Sequence, residues 1–322
     1  MREFGFELAL CAHLESPQRL VARQLGAHVE GRRIVDTVSI EPGPEFDRRA
    51  AITSQSIPER AIAADVGPGR ATFWKEAFPD LHPDRARSVI DAAAEVGFFE
   101  RERRDGRTYV RQTTRYPEEW VGRLVGIENK PDLDRPGDLQ AQLRTDVSLG
   151  LFDAVVLATA DYVTGAHRNR IPEEVGVWRF DPETGEREVL RDPEPLDPDT
   201  PGVELLDRQP GQWEVAVADR TEKRRARRRL AERAYGKGWR TFEWPGCAAC
   251  APEGDAAETP VPYCEWAGRI VDSATDCGPG CPGYDPADSP VVDAERERAE
   301  RTPWDPDPEG YRRRQSGLDR FR

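Results

Sequence analysis

RLVGIENK at residues 123–130 is followed by DLQAQLRTDVSLG at 138–150 and by FDAVVLATA at 152–160. The first segment predicts a strand, and the second predicts a helix. The third is the almost wholly apolar run that is typical of a buried strand. Strand, helix and strand in this order indicate an α/β fold, and the rest of the chain is interpreted around this stretch.

The composition sets the class of protein. The chain has 322 residues, enough for two folded units, and its 60 acidic and 47 basic residues give a formal net charge of -13. Arginine supplies all but four of the basic side chains, and there is one methionine. An acidic, arginine-rich, methionine-poor chain resembles proteins of halophiles that accumulate salt. Molar salt screens charges within roughly 3 Å, so the negative net charge does not exclude nucleic acid as a partner.

Neither a signal peptide nor a membrane span is predicted. The chain contains no run of about 18 apolar residues, and its first residues do not combine a basic start, an apolar stretch and a small-residue cleavage site. We therefore expect a cytoplasmic protein without a membrane partner.

Two segments near the N-terminus bring acidic residues into the predicted core. Residues 3–15 predict an amphipathic helix with Glu7 beside its apolar stripe. IVDTVSI at 34–40 alternates apolar and polar residues, which predicts a half-buried strand that carries Asp36.

Residues 58–117 form a separate small unit in the sequence pattern. Three helical segments precede a hairpin whose tight turn is Asp105-Gly106, and arginines decorate that hairpin. Three helices followed by a basic hairpin resemble a winged-helix domain, a fold that binds DNA or serves as a protein-contact module. The candidate DNA contacts are Arg103, Arg104 and Arg107. The alternative is a structural insertion whose arginines are only solvated.

Asp36, Glu128, Lys130 and a glutamine provide the chemistry of a metal-dependent phosphodiesterase. Two carboxylates on adjacent strand ends can share Mg²⁺ or Mn²⁺, cations that take oxygen ligands. Glu128 and Lys130 are two residues apart on a strand, so both side chains point to one face and the ammonium can reach an attacking water or a phosphate. Gln142, or Gln140, lies on the helix that follows. The alternative is an ion pair of Glu128 with Lys130 on the surface.

These residues resemble the PD-(D/E)XK, or restriction-endonuclease-like, nuclease superfamily, whose core runs helix, strands with Asp and Glu-x-Lys, helix, strand. The resemblance implies that Asp36 and Glu128 bind the metal and that Lys130 positions or activates water. Glu7 corresponds to the extra acidic residue of many members, and Gln142 to a helical glutamine of recombination-type members. It also implies a mixed sheet flanked by helices. The chain is similar in length and composition to uncharacterised haloarchaeal families.

This resemblance gives a domain plan. The nuclease-like core covers 1–57 and 118–244, and the winged-helix-like unit at 58–117 accounts for the long separation between Asp36 and Glu128. The implied function is Mg²⁺-dependent hydrolysis of DNA in repair or defence. The alternative is a non-catalytic DNA-binding or regulatory protein that keeps an inactive nuclease-like scaffold.

Five of the six cysteines lie at 245–285, in a Gly/Pro-rich segment with little apolar content of its own: Cys247, Cys250, Cys264, Cys277 and Cys281. Two close pairs suit tetrahedral thiolate coordination of Zn²⁺, which would stabilise the segment. The alternative is a [4Fe-4S] cluster with Cys11 as a fourth ligand, as in some nucleases of the superfamily. Disulfides are less expected in a cytoplasmic chain. Residues 286–322 are predicted to be a poorly ordered tail.

Overall fold

A computed structural model describes residues 2–135, 137–209, 211–252 and 259–310. The helices are α1 (Glu3–Leu14), α2 (Phe46–Ala50), α3 (Glu59–Ile62), α4 (Trp74–Ala77), α5 (Pro83–Glu95), α6 (Leu139–Leu149), α7 (Gly165–Arg168), α8 (Arg220–Lys237) and α9 (Ala294–Arg301). The strands are β1 (Leu20–Gly26), β2 (Ile34–Pro42), β3 (Thr72–Phe73), β4 (Phe99–Arg104), β5 (Arg107–Gln112), β6 (Val121–Asn129), β7 (Ala154–Thr159), β8 (Gly176–Phe180), β9 (Arg187–Arg191), β10 (Gly202–Gln209), β11 (Gln212–Ala218), β12 (Cys250–Ala251), β13 (Tyr263–Cys264) and β14 (Arg269–Ile270).

A six-stranded mixed sheet organises the chain, in the order β1-β2-β6-β7-β8-β9. β1, β2 and β6 are antiparallel neighbours, β6, β7 and β8 run parallel, and β9 returns antiparallel. β7 is buried on both faces, as its continuous apolar run predicts. The α/β fold with a mixed sheet flanked by helices is therefore confirmed.

Each face of the sheet is covered by helices. On one face α1 buries Phe6 and Leu10 against Ile127 and Val156. On the other face, residues of α6 and α8 join the main apolar cluster. Although α8 is rich in arginine, it buries Ala226, Leu230, Ala231 and Ala234 at helical spacing, and this stripe lies in the cluster.

The segment between β2 and β6 contains a small unit with its own sheet. Its elements follow in the order α3, β3, α4, α5, β4, β5, and the strands pair in the order β3-β5-β4. Phe98 and Phe99 stack at the start of β4, and Val110 of β5 is buried in the same cluster. Asp105 and Gly106 both have positive φ, as the tight hairpin turn requires.

Two segments differ from the expectation of irregular structure. The Pro/Asp-rich composition of 191–211 predicts a loop, but its residues Gly202–Gln209 form β10, which pairs antiparallel with β11 and has a register shift between Leu205 and Asp207. In the expected disordered tail, α9 docks on α8: Arg298 donates from Nη2 to the carbonyls of Ala234 and Tyr235, and Trp304 is buried. A few large buried side chains thus order 294–304 despite its polar composition. Residues 311–322 lie outside the described residues.

Among the described residues, no helix has the length and apolar content needed to cross a bilayer.

Candidate active site

The candidate site lies at the end of the sheet where β2 begins and β6 ends. Thr37 of β2 pairs with Ile127 of β6, and one step further along each strand are Asp36 and Glu128. The two carboxyls are therefore cross-strand neighbours. Alternation along both strands puts them on the face that carries α6 and α8, because Val38 lies in the main cluster and Gly126 faces Phe152 of that cluster.

Asp36 is held by β6 and by β1. Its Oδ2 accepts a hydrogen bond from the backbone N–H of Asn129 at 2.8 Å. Gln24 donates from Nε2 to Asp36 Oδ1 at 3.4 Å and to Glu7 Oε1 at 3.1 Å, so one amide links the two acids. Glu7, Asp36 and Glu128 thus approach the same end of the sheet from α1, β2 and β6.

Gln24 is placed by an unusual backbone conformation. Its φ is 53°, in the left-handed region that a non-glycine residue seldom adopts. Lys237 at the end of α8 donates from Nζ to the carbonyls of Arg23 and Gln24, both at 2.8 Å, and this contact supports the distorted strand. Strained residues of this kind concentrate at functional sites.

Glu7 is buried and compensated. Arg23 donates to both carboxylate oxygens, Nε to Oε1 at 2.9 Å and Nη2 to Oε2 at 3.1 Å. A bidentate pair of this type fixes the carboxylate strongly. Glu7 is thus joined to Asp36 through Gln24, and its charge is neutralised by the guanidinium of Arg23.

Arg33 provides the positive charge beside Glu128. Its Nη2 lies 2.6 Å from Glu128 Oε2 and 2.6 Å from Asp146 Oδ2, and its Nε donates to Asp146 Oδ1 at 3.0 Å. Asp146 lies on α6, so one guanidinium joins the strand acid to a helix acid. Burial opposes the charged form of Arg33, but Asp146 and Glu128 outweigh it and raise the pKa of Arg33 above its ordinary value.

Both strand carboxyls hold protons more tightly than usual. Burial, with the negative charges of Glu7 and Glu3, raises the pKa of Asp36 to about 6. The hydrogen bond from the N–H of Asn129 lowers this pKa, but by less. Burial, with the charges of Asp36 and Asp146, raises the pKa of Glu128 to about 8. The nearby Arg33 lowers both values only in part. In each case burial is the largest cause, so both carboxyls favour the protonated form more than a solvent-exposed acid does.

The two other predicted residues have different surroundings. Lys130 follows the end of β6 and its backbone N–H donates to the carbonyl of Ala158, whereas its ammonium group forms no hydrogen bond or ion pair with a described carboxyl of the site. Gln142 lies one turn before Asp146 on α6, hence on the same side of the helix. Gln140 lines a separate cavity of about 240 Å³ at the start of α6.

The loop that carries Arg33 is anchored from a distant strand. Glu204 of β10 accepts hydrogen bonds from the backbone N–H groups of Val29, Glu30 and Gly31, at 3.2, 2.8 and 3.1 Å. The loop is closed by a bond from the N–H of Ala27 to the carbonyl of Arg33 at 2.8 Å. The β10–β11 hairpin thus fixes the position of the guanidinium.

The predicted DNA contacts lie at the hairpin of the small unit. Arg103 and Arg107 flank the turn and form no ion pair with a described residue, and the guanidinium of Arg107 lies over the ring of Phe73. Arg104 pairs with Glu102 and is partly neutralised. The three arginines therefore differ in how available they are to an anion.

The six cysteines fall into two places. Cys11 is buried on α1, with its sulfur 3.7 Å from Thr37 Oγ1, and burial followed by the charge of Glu7 raises its pKa. Cys247 precedes β12, Cys250 lies on β12 and Cys264 lies on β13. Cys277 and Cys281 follow β14. In the part of the chain that the structure describes, no three His, Cys, Asp or Glu side chains form a ready-made group of metal ligands.

Sequence reasoning missed three residues of the site, Gln24, Arg33 and Asp146. Asp146 carried a local signal, because it lies four residues after Gln142 on one helix face. Arg33 is one of two adjacent arginines before the strand of Asp36, and nothing nearby in the sequence distinguishes it. Gln24 lies in β1, which no pattern indicated.

Comparison with known proteins yields one match. The model of a family described as a family of unknown function, DUF5787, matches residues 20–286. No curated protein and no solved structure matches the chain.

Proposed function

We propose that this chain, which belongs to the family of unknown function DUF5787, is a metal-dependent nuclease that hydrolyses phosphodiester bonds of DNA, in repair or defence. The observation that carries the proposal is the cross-strand pair of Asp36, which is half-buried, and Glu128, which is buried. The order α1, β1, β2, β6, α6, β7 supports it, because the PD-(D/E)XK core follows the same order of helix, strands, helix and strand.

Asp36 and Glu128 are the residues that would bind Mg²⁺ or Mn²⁺. Their oxygens are the donors that such hard cations prefer. A cation bound between them would offset the burial that raises both pKa values and, at Glu128, the repulsion from Asp36. When bound, the metal supplies a Lewis acid that offsets charge on the phosphate and lowers the pKa of a coordinated water.

The neighbouring side chains take supporting roles. Lys130, two residues after Glu128, would hold the attacking water or a phosphate oxygen with its ammonium group. Glu7 acts through Gln24, which orients the Asp36 carboxyl, since the charge of Glu7 is already matched by Arg23. Gln142 is assigned to orienting the substrate or the ligands from α6, one turn from Asp146.

The small unit between β2 and β6 would bind DNA as a winged helix. The order of its elements, with a sheet of β3, β5 and β4, supports this assignment. Arg103 and Arg107 at the hairpin are the preferred phosphate contacts, because neither is neutralised by a described carboxylate. Arg104 contributes less while it pairs with Glu102.

One observation favours the alternative of a non-catalytic DNA-binding protein. Arg33 already compensates Glu128 and Asp146, and a guanidinium in this position competes with a metal ion. In the nuclease proposal, Arg33 gives up its bond to Glu128 and keeps Asp146. In the alternative, it keeps both, and the site is a structural ion cluster.

Cleavage of labelled DNA separates the two functions. Purified protein at high salt is incubated with single- and double-stranded DNA, with Mg²⁺ or with EDTA. Mg²⁺-dependent cleavage is expected, and Asp36→Asn and Lys130→Ala should each lower its rate at least ~100-fold. Asp80→Asn, an exposed acid of the small unit, is the matched control and should cleave normally.

Two results would reject the nuclease. Cleavage that is equally fast in the Asp36→Asn and Lys130→Ala proteins would come from a contaminant. Tight DNA binding without Mg²⁺-dependent cleavage of either substrate would establish the non-catalytic alternative.

A further inference from the structure

The cysteines near the C-terminus form a cluster of reduced thiols. All six cysteines of the chain lie within the described residues, and none forms a disulfide. Cys247, Cys250 and Cys264 are buried, whereas Cys277 and Cys281 are partly exposed. Cys11 lies apart from this group, between α1 and Thr37 of β2.

Backbone geometry makes three of the cysteines neighbours. A tight turn follows Cys247, closed by a bond from the N–H of Cys250 to the carbonyl of Cys247 at 3.0 Å. Cys250 on β12 is then the direct cross-strand partner of Cys264 on β13. The N–H of Asp285 points at the sulfur of Cys247, 3.4 Å away, as donors do around a metal-bound thiolate.

Cys277 completes the group. Arg269 is the cross-strand partner of Cys264 and donates from Nη1 to Asp276 Oδ2 at 2.9 Å, so the residue before Cys277 is held beside the β13–β14 pair. Asp276 Oδ2 also accepts from the backbone N–H of Asp272 at 3.1 Å, which closes the loop between β14 and Cys277. Cys277 is therefore held next to the strand of Cys264.

The segment has little else to stabilise it. Each strand of its sheet, β12, β13 and β14, is two residues long. Between 245 and 285 the other large buried apolar side chains, among described residues, are Val261 and Val271. So small a core needs a cross-link such as a structural metal.

We propose that Cys247, Cys250, Cys264 and Cys277 bind one Zn²⁺ ion as four thiolates, with Cys281 outside the site. The thiolates converge to coordination distance as the ion binds, because a structural zinc site and the fold around it form together. This site goes beyond the proposed nuclease function and uses none of the residues assigned to it.

The cysteine-rich segment at 245–285 also supports the first helix. Gly5 of α1 lies against Ile270 of β14, where an added Cβ would come within 3.3 Å of the Ile270 carbonyl oxygen. Arg2 and Arg269 both pair with Asp276, in the loop before Cys277. Loss of the ion should therefore loosen the helix that carries Glu7.

Elemental analysis of the purified full-length protein tests the proposal. One zinc per chain is expected, and a chelator that removes it should lower the melting temperature. Cys250→Ser and Cys277→Ser should lose the zinc, whereas Cys281→Ser and Cys11→Ala should keep it. Because a ligand variant can fail to fold, the wild-type chain is also loaded with Co²⁺, for which the visible spectrum of tetrahedral thiolate coordination is expected.

Three outcomes would overturn the proposal: iron with acid-labile sulfide and a brown colour, a zinc-free chain that is as stable as the purified one, or loss of zinc from Cys281→Ser or Cys11→Ala. None of them bears on Mg²⁺-dependent cleavage. The failure of one proposal is therefore distinguishable from the failure of the other.

Discussion

Arg33 contributes one positive charge to a site with three carboxyl groups, of which those of Glu128 and Asp146 are buried. Its side chain is 8% exposed, and its nitrogen lies 2.6 Å from both Glu128 and Asp146. Breaking a buried pair by removing one partner costs roughly 3–5 kcal/mol, because the other charge loses its compensation. In the metal-free protein, Arg33 therefore stabilises the arrangement that the nuclease proposal requires it to open.

The substitution Arg33→Ala tests this competition. Without metal, we expect it to lower the free energy of unfolding by roughly 3 kcal/mol. Because no guanidinium then competes for Glu128, Mg²⁺ should raise the melting temperature of Arg33→Ala more than that of the wild type. Arg48→Ala, which removes an exposed ion pair, is the control and should respond like the wild type. Equal Mg²⁺ responses of all three proteins would exclude a metal at Glu128.

Proton binding at the same carboxyls sets the pH dependence. The pKa rises from 3.8 to about 6 at Asp36 and from 4.5 to about 8 at Glu128. The folded chain thus holds these protons more tightly than the unfolded chain. The resulting stability is complete below pH 4 and is lost as the pH rises towards 8.

Metal binding should show the opposite trend, because the ion displaces these protons. We expect Mn²⁺ affinity to rise between pH 5 and pH 8 by about tenfold per pH unit for each proton displaced. Calorimetric titration in buffers of different ionisation enthalpy measures both affinity and proton release. Asp36→Asn should remove the step near pH 6. An affinity that is flat across this range would mean that Mn²⁺ binds elsewhere.

The β4–β5 hairpin is the element on which DNA affinity should depend. Removing one side chain that binds a phosphate reduces the slope of log K against log salt by about one. Arg103→Ala and Arg107→Ala should each reduce the slope by this amount, measured by fluorescence anisotropy with a labelled duplex. Arg104→Ala should change it less, because Glu102 already neutralises that side chain. An equal effect of the three substitutions would contradict the assignment of the phosphate-binding arginines.

Regular patterns made some elements predictable. The buried run of β7, the helix α6 and the turn Asp105-Gly106 each carry a local signal, and Asp36 and Glu128 were predicted because each lies near one end of a strand with such a signal. β1 escaped prediction because its sequence LVARQLG has neither the alternation of a half-buried strand nor a long apolar run. Arg33 was not predicted because its role in the site depends on an ion pair with Asp146, more than a hundred residues away, and on Glu204, which holds its loop. An ion pair between segments that are distant in the chain produces no periodic pattern of apolar and polar residues, so the sequence alone does not reveal it.

At the scale of the molecule, several arginines form buried contacts that stabilise the fold. Arg49 is fully buried and donates to both oxygens of Glu232 at 2.7 Å, with its guanidinium 4.1 Å from the ring centroid of Tyr235. Glu232 of α8 also accepts from the N–H of Ile57 and from the hydroxyl of Tyr116. Those two residues lie where the small unit leaves the core and where it returns. One carboxylate therefore joins α8, α2 and both connections of the small unit.

Because this junction is buried, salt should not weaken it. Glu232→Gln leaves the Arg49 charge without a carboxylate, so we expect it to lower the free energy of unfolding by roughly 3–5 kcal/mol. Urea unfolding at low and at molar salt should give the same loss, since bulk ions do not screen a pair that solvent does not reach. Glu188→Gln, which breaks the exposed pair with Arg179, is the control and should cost at most about 1 kcal/mol, falling towards zero in salt. If the loss at Glu232 fell with salt in the same way, the junction would be open to solvent, and the small unit would be free to move as an independent domain.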